Sequence, residues 1–159
     1  MRLIPLTRGK FAQVDDEDYE WLMEYNWQAR HVQNVWYAAC RQLGYMHRAI
    51  AERYGFLIKF VDHKDIDGLN NQKQNLRQCT KRQNQQNQRK RHGCSSQYKG
   101  VCVAGTKWGA SIRVNGKRIH LSYYDDEIEA ARVYDRAAIE YFGAFAKINF
   151  PVTDYALAC

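Results

Sequence analysis

The sequence predicts an α+β protein with two small domains, and three observations support that prediction. A short apolar segment, "FLIKFVDH", runs directly into a polar loop, and a polar segment without helix breakers follows. Beyond Gly93, three short strand-like segments separated by turn residues precede one amphipathic helix. The charge also changes along the chain, because residues 79–118 contain ten Lys or Arg and no Asp or Glu.

The first domain is predicted to span residues 1–93. "KFAQV" and "VWYAAC" alternate as strands do, and "DDEDYEWLMEYNW" has the acidic start that helices favour. The helix "MHRAIAERYG" is expected to end at Gly55. After the polar loop, "NLRQCTKRQNQQNQRKR" predicts a polar helix on which Asn84 and Asn87 lie one turn apart.

The second domain is predicted to span residues 98–151, after a linker at 94–97 and before a tail at 152–159. Asn115-Gly116 indicates a two-residue hairpin turn between strands. The expected fold is a three-stranded antiparallel sheet packed on one α-helix, "DDEIEAARVYDRAAIEYFG". Helical spacing assigns these residues to the core contact: Ile128, Ala131, Tyr134, Ala138, Tyr141 and Phe142.

The composition indicates a folded protein, with 45% hydrophobic residues and four Trp, eleven Tyr and six Phe among 159 residues. No apolar run suits a membrane span or a signal peptide, so a cytoplasmic protein without membrane partners is expected. The five cysteines are odd in number and form no Cys-x-x-Cys pair. That pattern argues against a disulfide framework and against structural zinc, and it favours reduced thiols.

The charge distribution points to a polyanionic partner. Residues 1–78 hold 11 basic and 10 acidic residues, and residues 119–159 hold three basic and seven acidic ones. The uniformly basic middle of the chain suits nucleic acid. The alternative is a solvated linker face, which the basic residues between Lys81 and Lys99 would also allow.

Three interpretations compete for the loop in "VDHKDIDGLNNQKQNLR", residues 61–77. The first is a polar hairpin loop with turn residues at Gly68 and Asn70-Asn71. The second is a calcium loop, but His63 and Gln74 stand where an EF-hand needs acidic ligands. The third is phosphodiester hydrolysis, in which His63 is a general base and Asp62 offers an oxygen ligand to Mg²⁺.

The pattern Asp-His, eleven residues, Asn75, eight residues, Asn84, two residues, Asn87 resembles the His-Asn-His (HNH) nuclease motif, in the variant with a final asparagine. The segment "NLRQCTKRQNQQN" is similar to phage and intron-encoded homing endonucleases of this family. The resemblance implies a ββα-metal module over residues 58–88, with two strands around the loop followed by the helix.

The same resemblance implies roles for the matching residues. His63 would deprotonate the attacking water, and Asp62 and Asn84 would bind one divalent ion. Asn75 would hold the loop and position His63. Asn87 and Arg77 would support the site.

The sequence departs from the family at Lys64 and at Ile66, which takes a place usually held by Gly. Both departures affect the turn. The expected cofactor is one Mg²⁺ or Mn²⁺, since a two-metal site would need several clustered carboxylates. His47 matches the segment before the motif and is interpreted as a structural or phosphate-contacting residue.

Residues 98–150 resemble the plant-type Apetala/ethylene-response-factor DNA-binding domain, through "YKGV", "WGASIRVNGKRIHLSYYDDEIEAARVYDRAAIEYFG" and "INF". The resemblance implies that the sheet lies in the major groove of DNA. The DNA-binding residues expected from this match and from the basic run are Arg82, Arg89, Lys90, Arg91, Lys99, Lys107, Arg113, Arg118 and His120.

Together these patterns predict a phage-borne, monomeric homing endonuclease that nicks double-stranded DNA at a site chosen by its C-terminal domain. The alternative from another class is a non-catalytic DNA-binding regulator that retains the nuclease module as a scaffold. RNA is a weaker alternative substrate, because the major groove of an A-form duplex is too narrow for a sheet to read.

Overall fold

A computed structural model describes residues 1–57, 60–90, 93 and 95–155 of the chain. The architecture is mixed α/β, with several small antiparallel sheets and few helices, which confirms the general fold class. The chain forms two compact units, Met1–Asn84 and Gln85–Cys159. The linker predicted at 94–97 remains a prediction, and its first residue, Cys94, lies outside the described residues. Within the described part of the chain, no helix has both the length and the apolar character needed to cross a membrane.

The first unit contains two hairpins and a three-stranded sheet. Its strands are β1 (Arg2–Pro5), β2 (Phe11–Val14), β3 (Gln28–Val32), β4 (Val35–Cys40), β5 (Gly44–Tyr45), β6 (Phe60–His63) and β7 (Leu76–Cys79). Its helices are α1 (Asp16–Met23) and α2 (Met46–Arg53). Strand β1 pairs with β2, β6 pairs with β7, and the sheet has the order β3-β4-β5, all antiparallel.

One hydrophobic core joins these elements of the first unit. The residues at its centre, each 1% exposed or less, are Ile4, Ala12, Val14, Leu22, Ala38, Met46 and Ile50. Leu76 of β7 belongs to the same core, so the β6–β7 hairpin is anchored to the rest of the unit. Burial of apolar side chains is the main stabilising contribution here.

The polar loop between β6 and β7 packs closely against β4. A Cβ atom at Gly68 would lie 2.5 Å from the carbonyl oxygen of Trp36 and 2.6 Å from the Tyr37 ring. Only glycine permits that approach without displacing β4. The loop is also tied to β2, since the Gln13 amide donates to the Leu69 carbonyl and the Asn71 amide donates to the Gln13 carbonyl. The loop is therefore a packed part of the unit.

The helix predicted from residue 75 onward is wrong in its first part. Leu76–Cys79 forms strand β7, because it pairs with β6 and buries Leu76 and Cys79. The helix α3 covers only Lys81–Gln86. Thr80 and Gln83 form a reciprocal cap, in which each side chain accepts a hydrogen bond from the other's backbone amide. This cap fixes the start of α3.

The second unit is a three-stranded antiparallel sheet covered by one helix. Strands β8 (Val101–Ala104), β9 (Lys107–Val114) and β10 (Lys117–Tyr124) lie in the order β10-β9-β8. Asn115 and Gly116 both have positive φ and connect β9 to β10, which confirms the predicted hairpin turn. Helix α4 (Glu127–Phe142) begins at Asp126, whose carboxylate accepts a hydrogen bond from the Ile128 amide.

Helix α4 packs on the sheet mainly through alanine and tyrosine. Ala131, Tyr134 and Ala138 are buried as predicted, whereas the core positions predicted for Ile128 and Tyr141 are wrong. These two residues lie in the first and last turns of α4 and are 44% and 46% exposed. The small side chains along the middle of the helix let it approach the sheet closely. Phe142 is partly buried against the same core.

Candidate active site and nucleic-acid interface

Asp62 and His63 are the last two residues of β6, and successive side chains of a strand point to opposite faces. Asp62 lies opposite Arg77 of β7, and His63 lies opposite Leu76. Both polar side chains are buried, at 5% and 6% exposure. The hairpin therefore places the carboxylate and the imidazole in two different environments.

The imidazole of His63 is surrounded by aromatic rings and by one amide. Its ring centroid is 4.8 Å from that of His47, in an edge-to-face arrangement, and 6.0 Å from that of Tyr37. Its Nε2 atom lies 3.4 Å from Oδ1 of Asn71. Burial lowers the pKa of His63, although the Asn71 contact and the carboxylates of Asp65, Asp62 and Asp67 oppose that shift. The imidazole is thus neutral at pH 7 and can accept a proton.

Asp62 forms a buried ion pair with Arg77 on the other face of the hairpin. Nε and Nη2 of Arg77 donate to Oδ2 of Asp62, at 2.9 and 2.7 Å. The Arg77 side chain is itself only 15% exposed. Each partner therefore compensates the cost of burying the other's charge.

Cys79 interacts with both Asp62 and Asn84. Burial and the Asp62 carboxylate raise the pKa of the Cys79 thiol to about 11, while Arg77 and a hydrogen bond with the Asn84 backbone partly offset this. The thiol thus lies within electrostatic range of the carboxylate and in contact with the start of α3. The main chain of Asn84 and the carboxylate of Asp62 therefore lie near the same face of the hairpin.

Asn75 holds the two ends of the polar loop together. Its Nδ2 donates to the Asn70 carbonyl at 2.8 Å and to Oδ1 of Asp65 at 2.9 Å. Its Oδ1 accepts from the Asp65 amide, and its backbone carbonyl accepts from the Lys64 amide. Lys64 follows His63 directly, so this network fixes the main chain beside the imidazole.

Two residues at the site were not singled out by the loop pattern. Asn71 is fully buried, and its side chain lies between the Leu69 carbonyl and His63. His47 is 7% exposed, and its Nδ1 has no hydrogen-bond partner among the described residues. Burial, with His63 and Arg48 nearby, lowers the pKa of His47 well below its usual value.

Asn87 does not extend α3, which ends at Gln86, and instead lies buried in the following turn. The helical spacing predicted for Asn84 and Asn87 is therefore not formed. Arg82 is exposed on α3, Arg89 is exposed beyond it, and Lys90 is half-buried. Arg91 lies outside the described residues. Within those residues, no three or more His, Cys, Asp or Glu side chains are grouped to hold a metal ion.

The second unit exposes the sheet face opposite α4. Arg113 of β9 pairs directly with Arg118 of β10, and His120 pairs with Ser111, so these side chains share one face. Arg113, Arg118 and His120 are all exposed. The Arg118 guanidinium donates to Oγ of Ser111 at 3.0 Å. This face can present several cations at once to a polyanion.

Tyr123 adds an aromatic ring to this face that the sequence did not indicate. It pairs with Gly109, and its ring centroid lies 4.3 Å from that of His120. The Tyr123 side chain is 56% exposed. A register shift between His120 and Ser122 brings Tyr123 opposite Gly109, whereas regular pairing from the Asn115-Gly116 turn would place Ser122 there, so the sequence carried no signal for this ring.

Lys107 and Lys99 differ from the exposed arginines. Lys107 is exposed but forms a salt bridge with Asp125 at 3.2 Å. Nζ of Lys99 donates to the carbonyls of Gln86 and Gln88, at 2.6 and 2.7 Å. Burial, and to a lesser degree Lys147, lowers the pKa of Lys99 to about 8. Its ammonium group holds the chain segment that follows α3.

Comparison with plant proteins indicates a relationship over part of the chain. It is 43% identical over 65 residues to an AP2-like ethylene-responsive transcription factor of Arabidopsis thaliana, covering 41% of this chain. It is 44% identical over 63 residues to APETALA2-like protein 2 of Oryza sativa subsp. indica, covering 38% of this chain. The chain spans only 15% and 14% of the lengths of these two relatives.

A second comparison covers nearly the whole chain. No protein-family model matches it. It is 32% identical over 157 residues to an uncharacterized HNH endonuclease of Acanthamoeba polyphaga mimivirus, covering 92% of this chain and 79% of that protein. With that coverage of both proteins, and with Asp62, His63 and Asn75 placed on one hairpin and its loop, the chain belongs to the HNH endonuclease family.

Proposed function

We propose that this protein is a divalent-metal-dependent DNA endonuclease of the homing type, which nicks DNA at a site selected by its second unit. The observation that carries the proposal is the environment of His63. A buried histidine with a lowered pKa, at the end of a strand beside a buried carboxylate, is suited to general-base catalysis near neutral pH.

In the proposed reaction, His63 accepts a proton from the attacking water as the water oxygen forms its bond to phosphorus. The bond between phosphorus and the 3′ oxygen breaks, and the electron pair leaves with that oxygen. Asn75 supports this step by fixing the main chain next to His63 through its contacts with Asp65, Asn70 and Lys64. Asn71 supports it by contacting the imidazole directly.

One divalent ion is proposed to bind at Asp62 and Asn84. The Asp62 carboxylate and the Asn84 side-chain amide are oxygen donors of the type that Mg²⁺ and Mn²⁺ prefer. Cys79 shares a face of the hairpin with Asp62, and its thiol contacts the Asn84 backbone, which supports a site that includes both residues. When bound, such an ion would stabilise the negative charge that develops on the phosphate and the leaving oxygen. Arg77 would hold the Asp62 carboxylate in place.

The second unit is proposed to choose the DNA site. The AP2-like relatives are named as transcription factors, and the exposed sheet face carries Arg113, Arg118 and His120. An arginine side chain can form bidentate hydrogen bonds with the major-groove edge of guanine, which discriminates guanine from other bases. Lys107, Arg82, Arg89, Lys90 and Arg91 are proposed as phosphate contacts. Lys99 is the weakest of the predicted contacts, because its ammonium group donates to two carbonyls.

The test is cleavage of a long mixed-sequence DNA with Mg²⁺, with Mn²⁺ and with EDTA. Wild type should cut only with metal, and His63→Ala should bind DNA but not cut it. His31→Ala, which changes an exposed histidine of the same unit, is the matched control and should cut as wild type does. Asn84→Ala should need more Mg²⁺ for half-maximal cleavage.

The same assay also distinguishes the regulator alternative and tests the roles proposed for His63 and Asn84. Tight DNA binding that is unchanged by EDTA, with no cleavage of any substrate, would favour the regulator and reject the nuclease. Cleavage that persists in His63→Ala would remove that residue as the base. An Mg²⁺ titration of Asn84→Ala identical to wild type would remove Asn84 from the metal site.

A further inference from the structure

One face of the β3-β4-β5 sheet carries an aromatic residue, Tyr37, that lies next to His63. The residues that share this face by their register are Gln28, Arg30, Tyr37, Ala39 and Tyr45. The Tyr37 ring lies 6.0 Å from the His63 ring and 5.8 Å from the His47 ring. Arg30 is paired across the strands with Tyr37. Arg30 is therefore separated from the candidate base by a single aromatic residue.

Several cations of the first unit are paired with acidic residues of one helix. Arg2, Arg53 and Lys73 form salt bridges with Glu20, Asp18 and Glu17. All three of these acids belong to α1. Among the described residues, Arg30 and Arg41 take part in no salt bridge. The acids of α1 therefore pair with other cations and not with Arg30 or Arg41.

Arg30 and Arg41 line one shallow pocket. Its volume is about 160 Å³, and Gln28, Ala39 and Cys40 complete the lining. Two guanidinium groups at one concavity repel each other unless an anion lies between them. The planar guanidinium also matches the oxygens of a phosphate better than the ammonium of lysine does. The Gln28 side chain offers a neutral hydrogen-bond donor beside them.

We propose that this pocket binds a backbone phosphate of the DNA strand that flanks the cleaved bond. The inference rests on the proposed nuclease function, because it places the pocket on the same substrate that His63 acts on. The phosphate would lie on the same sheet face as Tyr37, a few nucleotides from the scissile bond. A contact of this kind sets the position of the strand and carries no base sequence.

The test measures the affinity of the whole 159-residue chain for a labelled DNA duplex, without metal, over a series of salt concentrations. The variants are Arg30→Gln, Arg41→Gln and the double variant, with Arg2→Gln as the control for an exposed cation that is paired with an acid. The slope of log affinity against log salt should fall by about 0.9 for each phosphate that the variant no longer neutralises. The decrease in affinity should be similar for unrelated sequences.

A conservative variant and a stability measurement separate phosphate binding from a structural role of Arg30. Arg30→Lys retains the charge and should retain most of the salt slope, which a purely structural role of the arginine would not predict. Thermal unfolding checks that the exposed substitutions leave the fold intact. If Arg30→Gln and Arg41→Gln bind with the affinity and salt slope of wild type, the pocket does not hold a DNA phosphate.

Cleavage and salt-dependent binding report on the nuclease site and on the phosphate pocket separately. A wild type that never cleaves DNA, combined with a reduced salt slope in the variants, would reject the nuclease and retain the phosphate pocket. A wild type that cleaves DNA, combined with variants that bind and cleave equally well, would reject the pocket and retain the nuclease.

Discussion

The Nε2 atom of His63 lies 3.4 Å from the Oδ1 atom of Asn71, within the buried interior of the first unit. The Nδ2 atom of Asn71 donates to the Leu69 carbonyl at 3.1 Å, so it is the amide oxygen that faces the imidazole. An amide oxygen can only accept a hydrogen bond. The contact is therefore a hydrogen bond in the tautomer of neutral His63 that carries its proton on Nε2, and it favours that tautomer.

Asn71→Ala should lower the cleavage rate by about a hundredfold while leaving DNA binding nearly unchanged. Without Asn71, the imidazole of His63 would lose its alignment with the attacking water. The substitution should also cost about 1–3 kcal/mol of stability, since a buried carbonyl loses its donor. The rate is measured by single-turnover cleavage, and the stability by urea unfolding. A similar decrease in binding and cleavage would indicate a general structural role.

Asn71→Asp separates positioning from packing. It keeps the shape of the side chain but places a negative charge beside His63, which favours the protonated imidazole and raises its pKa. The acidic limb of the cleavage profile should then move to higher pH than in wild type. A profile with an unchanged limb would mean that Asn71 does not act through His63.

Stability should depend on pH through His47. Burial keeps the folded-state pKa of His47 well below its usual value, so the unfolded chain binds a proton at a higher pH than the folded one does. The free energy of unfolding should therefore fall as the pH falls below about 6.5, by up to about 1.4 kcal/mol per pH unit for this residue.

Urea unfolding at pH 7 and pH 5 measures this effect. His47→Phe retains a ring against Tyr37 but removes the proton-binding group, so its stability should fall less between the two pH values than that of wild type. His31→Phe, at an exposed position, is the control and should behave like wild type. An equal pH dependence in wild type and His47→Phe would remove His47 as the cause.

The sequence predicted elements whose signals are local. The hairpin at Asn115-Gly116 was predicted because two residues decide the turn. The residue pattern alone predicted a helix in place of strand β7, because a polar run without breakers also suits a helix and only pairing with β6 decides between them; a second strand was implied only by the family resemblance. The cap formed by Thr80 and Gln83 was present in the sequence and marks the true start of α3.

The site was harder to predict than the fold, because residues of the same type within it differ in how deeply they are buried, and burial cannot be read from residue type. Asn70, Asn71 and Asn75 are the same amino acid within one loop, yet only Asn71 is fully buried and reaches His63. Counting charges along the sequence could not identify the pair of Arg30 and Arg41, since the acids of α1 balance the total charge while forming salt bridges with other cations. Such relations arise from tertiary packing alone.

Ile66 should be a strained position whose replacement stabilises the protein. It has a φ of 66°, which is unfavourable for a β-branched residue, and its amide donates to the His63 carbonyl. Ile66→Gly should remove about 1–2 kcal/mol of strain, and the greater freedom of glycine in the unfolded chain offsets about half of that. Urea unfolding should show a small net gain. A decrease in stability would mean that packing of the Ile66 side chain outweighs its strain.

Arg113→Ala should weaken DNA binding by about 1–3 kcal/mol if its guanidinium contacts a base edge. The substitution should also relax the preference for one base position, whereas removal of a phosphate contact would weaken all sequences equally. Arg136→Ala is the matched control, since Arg136 is exposed on α4, the helix that covers the opposite face of the sheet. Binding is measured by titration of labelled duplexes that contain the mapped cleavage site or single-base changes in it. Equal effects of the two substitutions would show that the exposed sheet face does not dock on DNA.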